Sequence, residues 1–360
     1  MVARRSPFPL MLKSNSPRGV SFSRLALLLA VALLAGGCGL FRTSRKISVP
    51  QPLTPLLDAT TEQLLAEVNR MAGVRSLGGR VDIQFLDTSF AECGIAEKYR
   101  TADGRLIVQS PGQIYLLIQA PLIGTKIAEM SSNGERFWAA VYQGDPKYRR
   151  YVTGTNSAVY ERLEANGQSL DCRQNGARRE AAMQRATVSA LSSLRPQHFT
   201  AALLVPPAAP EGSNLLYAAA ETFEEEPDPR PAARKDARVV RGYYVMSELE
   251  PQGPNRARVL RRFWFDRVGA IRLARVQTYD ERGRLVTDVV YSNPQTFGAG
   301  AAARRLPAQI ELTRPQDRYS IRVAFQEPTA AEVDTPRDPD IFVLKNSEGL
   351  PEVDLDARNR

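Results

Sequence analysis

The sequence predicts a mainly β chain with a few helices. Its centre is a large curved antiparallel sheet of about eleven strands with one wet face. Three observations predict this. Apolar and polar residues alternate in many short segments, as in Tyr319-Ser320-Ile321-Arg322-Val323-Ala324-Phe325. Short turns join successive segments, so neighbouring strands run antiparallel. Only two stretches, 60–72 and 178–205, carry helical apolar spacing. Two or three short helices in the mouth of so large a sheet leave a cavity or a gap; a fully packed sandwich is the alternative.

The first element is a leader. Arg4, Arg5, Lys13, Arg18 and Arg24 precede an unbroken apolar run, Leu25 to Leu34, and no acid occurs before residue 38. A run of ten residues is half the length of a membrane-spanning helix, which needs roughly 20. Small residues follow, which is the pattern of a cleaved secretory signal over residues 1–37. Leu34-Ala35-Gly36-Gly37-Cys38 resembles the bacterial lipobox, with Leu one place further back than usual. That resemblance implies a diacylglycerol thioether on Cys38, cleavage before it and an acylated new N-terminus. Gly39 is not the Asp that commonly retains lipoproteins at the inner membrane, so outer-membrane sorting is favoured. Met11 is a second possible start.

The formal charge of +9 falls to +4 once the five leader cations are removed, which is no nucleic-acid footprint. Residues 38–58 read as a tether with Pro50, Pro52 and Pro55 and a root-mean-square reach of about 25 Å. Residues 59–345 read as one domain and 346–360 as a C-terminal tail. Cys93 and Cys172 remain; in an oxidising compartment they either pair, contributing about 4 kcal/mol in the chain-entropy model, or stay buried and free.

Within the domain, Thr60 and Gln63 form a capping box for a helix over 60–72, with Leu64, Leu65, Val68 and Met71 on one face and Gly73 as a C′ stop. Val81, Ile83 and Phe85 alternate with Arg80, Asp82 and Gln84. Segments 95–100 and 106–109 flank Ala102-Asp103-Gly104, a hairpin signal, as does Asn133-Gly134 between 126–131 and 137–142. Segments 114–120 and 148–152 complete this series. The middle carries helical spacing over 177–194 and again over 198–205, with Pro196 between them. Stretches 206–213 and 227–237 read as loops. Strand patterns resume at 238–249, 257–266, 270–279, 284–292, 308–314 and 318–326, with Asp280-Glu281-Arg282-Gly283 as one turn.

No catalytic, metal or cofactor site is expected. His198 is the sole histidine and sits in an apolar helical context, which suits a lid-face or surface residue. Hydrolase, zinc-protease and phosphate-loop motifs are absent. Gly298-Ala299-Gly300-Ala301-Ala302-Ala303 matches a loose dinucleotide pattern without its strand–helix–strand setting, and reads as a loop. Glu332, Asp334, Asp338 and Asp340 lack calcium-site spacing.

Gly112 to Val141 contains Gln-Ala-Pro-Leu-Ile-Gly-Thr-Lys, then Asn133-Gly134 and Phe137-Trp138. It resembles the Lol-type lipoprotein localisation proteins, especially the LolB-like outer-membrane receptor branch. Ser193-Leu194-Arg195 with Phe199 to Pro206 is similar to that family's lid helix. Phe263-Trp264-Phe265-Asp266-Arg267, Tyr279 to Gly283, Tyr291, Leu306-Pro307 and the 318–326 strand are similar to its late strands. The resemblance implies an unclosed β-barrel with a helical lid and an apolar interior for acyl chains, without catalysis or a cofactor. It implies a membrane-contact loop at Pro121, Leu122, Ile123 and Gly124; folding back onto the core is the alternative. The cavity residues expected from it are Leu116, Ile118, Phe137, Phe199, Leu203, Tyr243 and Phe263. Expected partners are an acylated lipoprotein or lipid, a periplasmic carrier and, through the N-terminal lipid, a membrane. The expected function is a lipid-anchored protein on the periplasmic face of the outer membrane that helps place lipoproteins or lipids. The alternative is a periplasmic envelope-stress regulator or structural lipoprotein on the same fold.

Overall fold

The computed structural model describes residues 49–87, 100–143, 146, 149–158, 160, 195–210, 212–300 and 303–358. The leader, Cys38, Cys93, Cys172 and the helix expected over 177–194 lie outside them. Two antiparallel meanders carry the described chain from Gln51 onward. The first comprises β2 (Ser76–Asp87), β3 (Arg100–Gln109), β4 (Gln113–Gln119), β5 (Lys126–Asn133), β6 (Arg136–Val141) and β7 (Arg150–Thr155). The second comprises β8 (Leu216–Pro227), β9 (Arg238–Pro251), β10 (Ala257–Asp266), β11 (Arg272–Tyr279), β12 (Leu285–Phe297), β13 (Arg304–Arg314) and β14 (Tyr319–Phe325). β14 pairs antiparallel with β2, from Tyr319 opposite Asp87 to Phe325 opposite Val81, and fuses the meanders into one sheet.

Two short strands add parallel edges. β1 (Gln51–Pro52) pairs with β9, and β16 (Glu352–Asp354) pairs with β7. A further short strand, β15 (Glu332–Val333), pairs with β2. The sheet ends at β8 on one side and at β16 on the other, while β1 pairs with β9 on the edge that β10 takes further along the strand. Among the described residues these ends do not pair, so the sheet is unclosed.

One face of the sheet is apolar. Val81, Ile83, Leu106, Val108, Leu116, Met246, Phe263, Phe265, Val289 and Ile321 are buried in a single cluster. Two helices lie in that cluster. α1 (Thr61–Ala72) contributes Leu64, Val68 and Met71; α2 (Pro196–Leu203) contributes Phe199, Ala202 and Leu203. The Thr60 capping box forms as the sequence predicts, with Thr60 N–H to Gln63 Oε1 at 2.9 Å and Gln63 N–H to Thr60 Oγ1 at 3.4 Å. α1 ends differently. Gly73 is helical, with φ −67°, and donates to Asn69 O, so no left-handed glycine is used.

Four expectations change. Asp103-Gly104 is no turn: β3 is continuous through it, with Gly104 opposite both Val81 and Ile118. Packing requires the glycine there, since a Cβ would lie 2.5 Å from Ile83 Cδ1 and 2.9 Å from the Leu117 carbonyl oxygen. β8 was not expected. Its backbone pairs with β9 along its whole length while its side chains are mostly exposed, so it carries no alternation. The described sheet therefore holds more long strands than the eleven expected. Residues 346–360, read as a tail, include β16 and the buried Leu355 of the terminal helix α3 (Leu355–Arg358). The tether stretch includes β1, and Leu57 and Asp58 bind Arg267: Arg267 Nε donates to Leu57 O at 3.0 Å and Nη2 to Asp58 at 2.7 Å.

Candidate functional site: an exposed apolar loop beside a covered apolar face

The β4–β5 connection is short and held by its own hydrogen bonds. Ala120 N–H donates to Thr125 O at 2.8 Å, Gly124 N–H to Ala120 O at 3.1 Å, and Gln119 Nε2 to Gly124 O at 2.8 Å. Ile123 N–H donates to Pro121 O at 2.9 Å, two residues back, closing a γ-turn on Leu122. Leu122 has φ +69° and Gly124 φ +68°. A bulky residue at positive φ costs of order 1–3 kcal/mol and persists where its surroundings enforce it. The result is an apolar tip aimed at solvent: Leu122 is 104% exposed and Ile123 81%. Neither folds back onto the core.

Behind the tip, Glu129 braces three strands. It is buried and accepts from Tyr115 Oη at 2.6 Å, Tyr142 Oη at 2.7 Å and Lys126 Nζ at 3.0 Å. Burial alone pushes its carboxyl pKa up, but these three donors outweigh burial and hold it below the usual range. Burial and the adjacent Glu129 charge raise both tyrosines. The loop thus projects from a stiff platform.

On the apolar face, Leu116, Ile118, Phe137, Phe199, Leu203 and Phe263 all belong to the buried cluster. Tyr243 does not. It lies opposite Asp266 on the other face of β9, where it donates to Glu226 and meets Trp264 edge-on, with ring centroids 5.8 Å apart. Tyr244 occupies the apolar face instead; a shift of one residue along a strand reverses the side. Beside Leu116, Ile118, Met130 and Ala139 the free space is only about 10 Å³. That is about the least that holds one water. An acyl chain enters there only if the covering residues move.

α2 is latched onto the sheet by groups that sequence reading did not assign. Tyr291 Oη donates to Ala202 O at 2.9 Å, and His198 Nδ1 lies 3.0 Å from Tyr319 Oη. Burial, with the charges of Arg314 and Arg195, holds the His198 pKa well below its ordinary value. The Arg195 guanidinium stacks over Phe137 and Tyr160, 5.2 and 4.5 Å from the ring centroids.

No protein-family model matches the chain, and no curated protein matches it. The chain is similar to a LolA superfamily protein. That protein, from Nitrosomonas europaea, aligns at 12% identity with a TM-score of 0.35, over 79% of this chain and 99% of its own. A DUF1329 family protein from Desulfovibrio piger aligns at 12% identity and TM-score 0.37, over 79% of this chain and 96% of that one. A domain described as an outer membrane lipoprotein-sorting protein, from Vibrio parahaemolyticus, aligns at 13% identity and TM-score 0.36, over 78% and 94%. At such TM-scores the likeness carries no functional weight, and the chemistry of the chain must.

Among the described residues no cluster of three or more His, Cys, Asp or Glu is placed to hold a metal ion. Two of the perturbed groups, Glu129 and His198, brace the loop platform and α2.

Proposed function

We infer that this chain is a lipid-anchored envelope protein that binds acyl chains of lipoproteins or lipids and helps place them in the outer membrane, without catalysis or a cofactor. Cys38 is its anchor, the apolar face under α2 its ligand site, and Leu122-Ile123 its contact with the bilayer. The observation that carries this reading is the loop. Two large apolar side chains stand in water on a hydrogen-bonded tip, at a backbone conformation that leucine rarely adopts. An interfacial lipid environment removes that apolar surface from water. The basic leader with its lipobox-like end supports this choice of compartment.

Ligand entry requires α2 to lift, which breaks the Tyr291–Ala202 and His198–Tyr319 contacts. The test is competition for an apolar fluorophore bound to the purified protein. An acylated peptide displaces it and its unacylated twin does not. Equal displacement by both peptides would sink the carrier reading. It would favour the alternative, a regulator or structural lipoprotein that binds partners at its surface. β8 offers such a surface: it pairs only with β9, so its other edge is open among the described residues.

A further inference from the structure

The face opposite the core carries an unusual charge pattern on β2 and β3. The register sets Arg80 directly opposite Arg105, and Asp82 directly opposite Asp103. These two rows adjoin, because residues on one face of a strand repeat at every second position, about 6.7 Å apart. Like charges directly opposite one another destabilise a sheet. The pattern is not relieved internally. Asp82 accepts a hydrogen bond from Gln326 Nε2 at 2.7 Å. Among the described residues, Arg80, Arg105 and Asp103 have no ion pair or hydrogen bond through their side chains.

Arg80, Arg105 and Asp103 line a groove of about 800 Å³. Its floor includes Gly78, Gly104 and the apolar Leu117. At another part of its wall, Glu332 and Arg337 pair with each other and so leave the two arginines unneutralised. Glu327 lines it as well, and its side chain has no ion pair or hydrogen bond among the described residues. The groove therefore presents two uncompensated cations beside uncompensated carboxylates. It also reaches Leu122 and Gly124, the exposed loop.

We propose that this groove binds the zwitterionic headgroup of a membrane phospholipid, with the phosphate on Arg80 and Arg105 and the ammonium on Asp103. Two arginines facing each other suit a phosphate, which accepts several charge-assisted hydrogen bonds at once. An adjoining carboxylate suits an ammonium joined to that phosphate by two carbons, as in phosphatidylethanolamine. The lipid source follows from the loop. When Leu122 and Ile123 enter the acyl region, a groove that Leu122 itself lines lies at headgroup depth.

The proposal deepens the reading of the loop as a bilayer contact, and its test separates the two. The mature full-length protein in detergent is titrated calorimetrically with dihexanoyl-phosphatidylethanolamine, dihexanoyl-phosphatidylglycerol, glycerophosphoethanolamine and inorganic phosphate. The ethanolamine lipid binds most tightly, and the headgroup alone binds more weakly. Arg80→Gln with Arg105→Gln weakens the ethanolamine lipid about tenfold or more, the scale of lost charge-assisted contacts. Asp103→Asn weakens the ethanolamine lipid and not the glycerol lipid, erasing the preference. The double arginine variant melts no lower than the parent, because its like-charge pair is gone. Ile123→Glu, at the exposed tip but outside the groove lining, leaves the soluble headgroup titration intact while weakening transfer to vesicles. Unchanged binding in the double arginine variant overturns the site. Equal affinity for the two lipids overturns the zwitterion assignment, and inorganic phosphate binding as tightly as lipid overturns the membrane source.

Discussion

Replacing Leu122 and Ile123 together by Glu tests the loop most directly. The two side chains are 104% and 81% exposed, so the folded protein loses almost no packing. Surface substitutions of this kind usually stay within about 0.5 kcal/mol. Leu122 already sits at φ +69°, and glutamate meets the same steric cost there, so the backbone term largely cancels. The membrane-bound state is different. Fully burying one large aliphatic side chain is worth about 1.5–3 kcal/mol, so inserting the pair contributes on the order of 3–6 kcal/mol. Losing it lowers the population of the bilayer-engaged state by on the order of 10² to 10⁴, at about 1.4 kcal/mol per tenfold. Two added anions are further repelled by an acidic lipid surface. The assay pairs a thermal melt with transfer of a fluorescent acylated ligand from the protein to liposomes. The expected result is an unchanged melting temperature with transfer reduced to background. A collapsed fold would refute the exposed placement, and undiminished transfer would remove the loop from the mechanism.

Three further outcomes follow from the same geometry. His198 is held well below its ordinary pKa, so the unfolded chain binds a proton that the folded one refuses; this stability is complete above about pH 6.5 and is lost as pH falls below it, by at most about 1.4 kcal/mol per pH unit. Melting temperatures between pH 7.5 and 5.5 should fall in the parent and fall less in His198→Gln; equal slopes would show that another group is responsible. Starting the chain at Thr60 instead of Val49 removes the Leu57 and Asp58 partners of the buried Arg267, leaving Glu221, and should cost about 1–3 kcal/mol in urea denaturation. Gly104→Ala forces a Cβ against the Leu117 carbonyl oxygen and Ile83, and should cost of order 1–3 kcal/mol; an unaffected midpoint would show that β3 relaxes there.

Local rules were enough wherever one residue's role depends on its near neighbours. The Thr60–Gln63 cap, the Asn133-Gly134 turn and the β14 alternation are each settled within a few positions. At the turn, Asn133 Oδ1 accepts from Glu135 and Arg136 N–H at 3.0 and 2.8 Å, and Gly134 takes φ +100°. The loop residues Pro121 to Gly124 were legible as a connection for the same reason. Their exposure was not, because it depends on what the rest of the sheet leaves uncovered. Asp103-Gly104 looked like a turn, yet its glycine answers to Ile83 and Leu117 across two neighbouring strands. β8 left no hydrophobic signature, since its partner β9 holds it by backbone bonds that any sequence can make. Tyr243 and Tyr244 exchanged faces because side is set by pairing register, which composition does not record. The Arg80–Arg105 and Asp82–Asp103 rows depend wholly on that register. The sequence determined the capped helix α1 and those strands that carry an apolar alternation, because backbone preference and apolar period act over a few residues. Only the tertiary structure decided which charges face each other and which leucine meets water, because those depend on pairings between residues far apart in the chain.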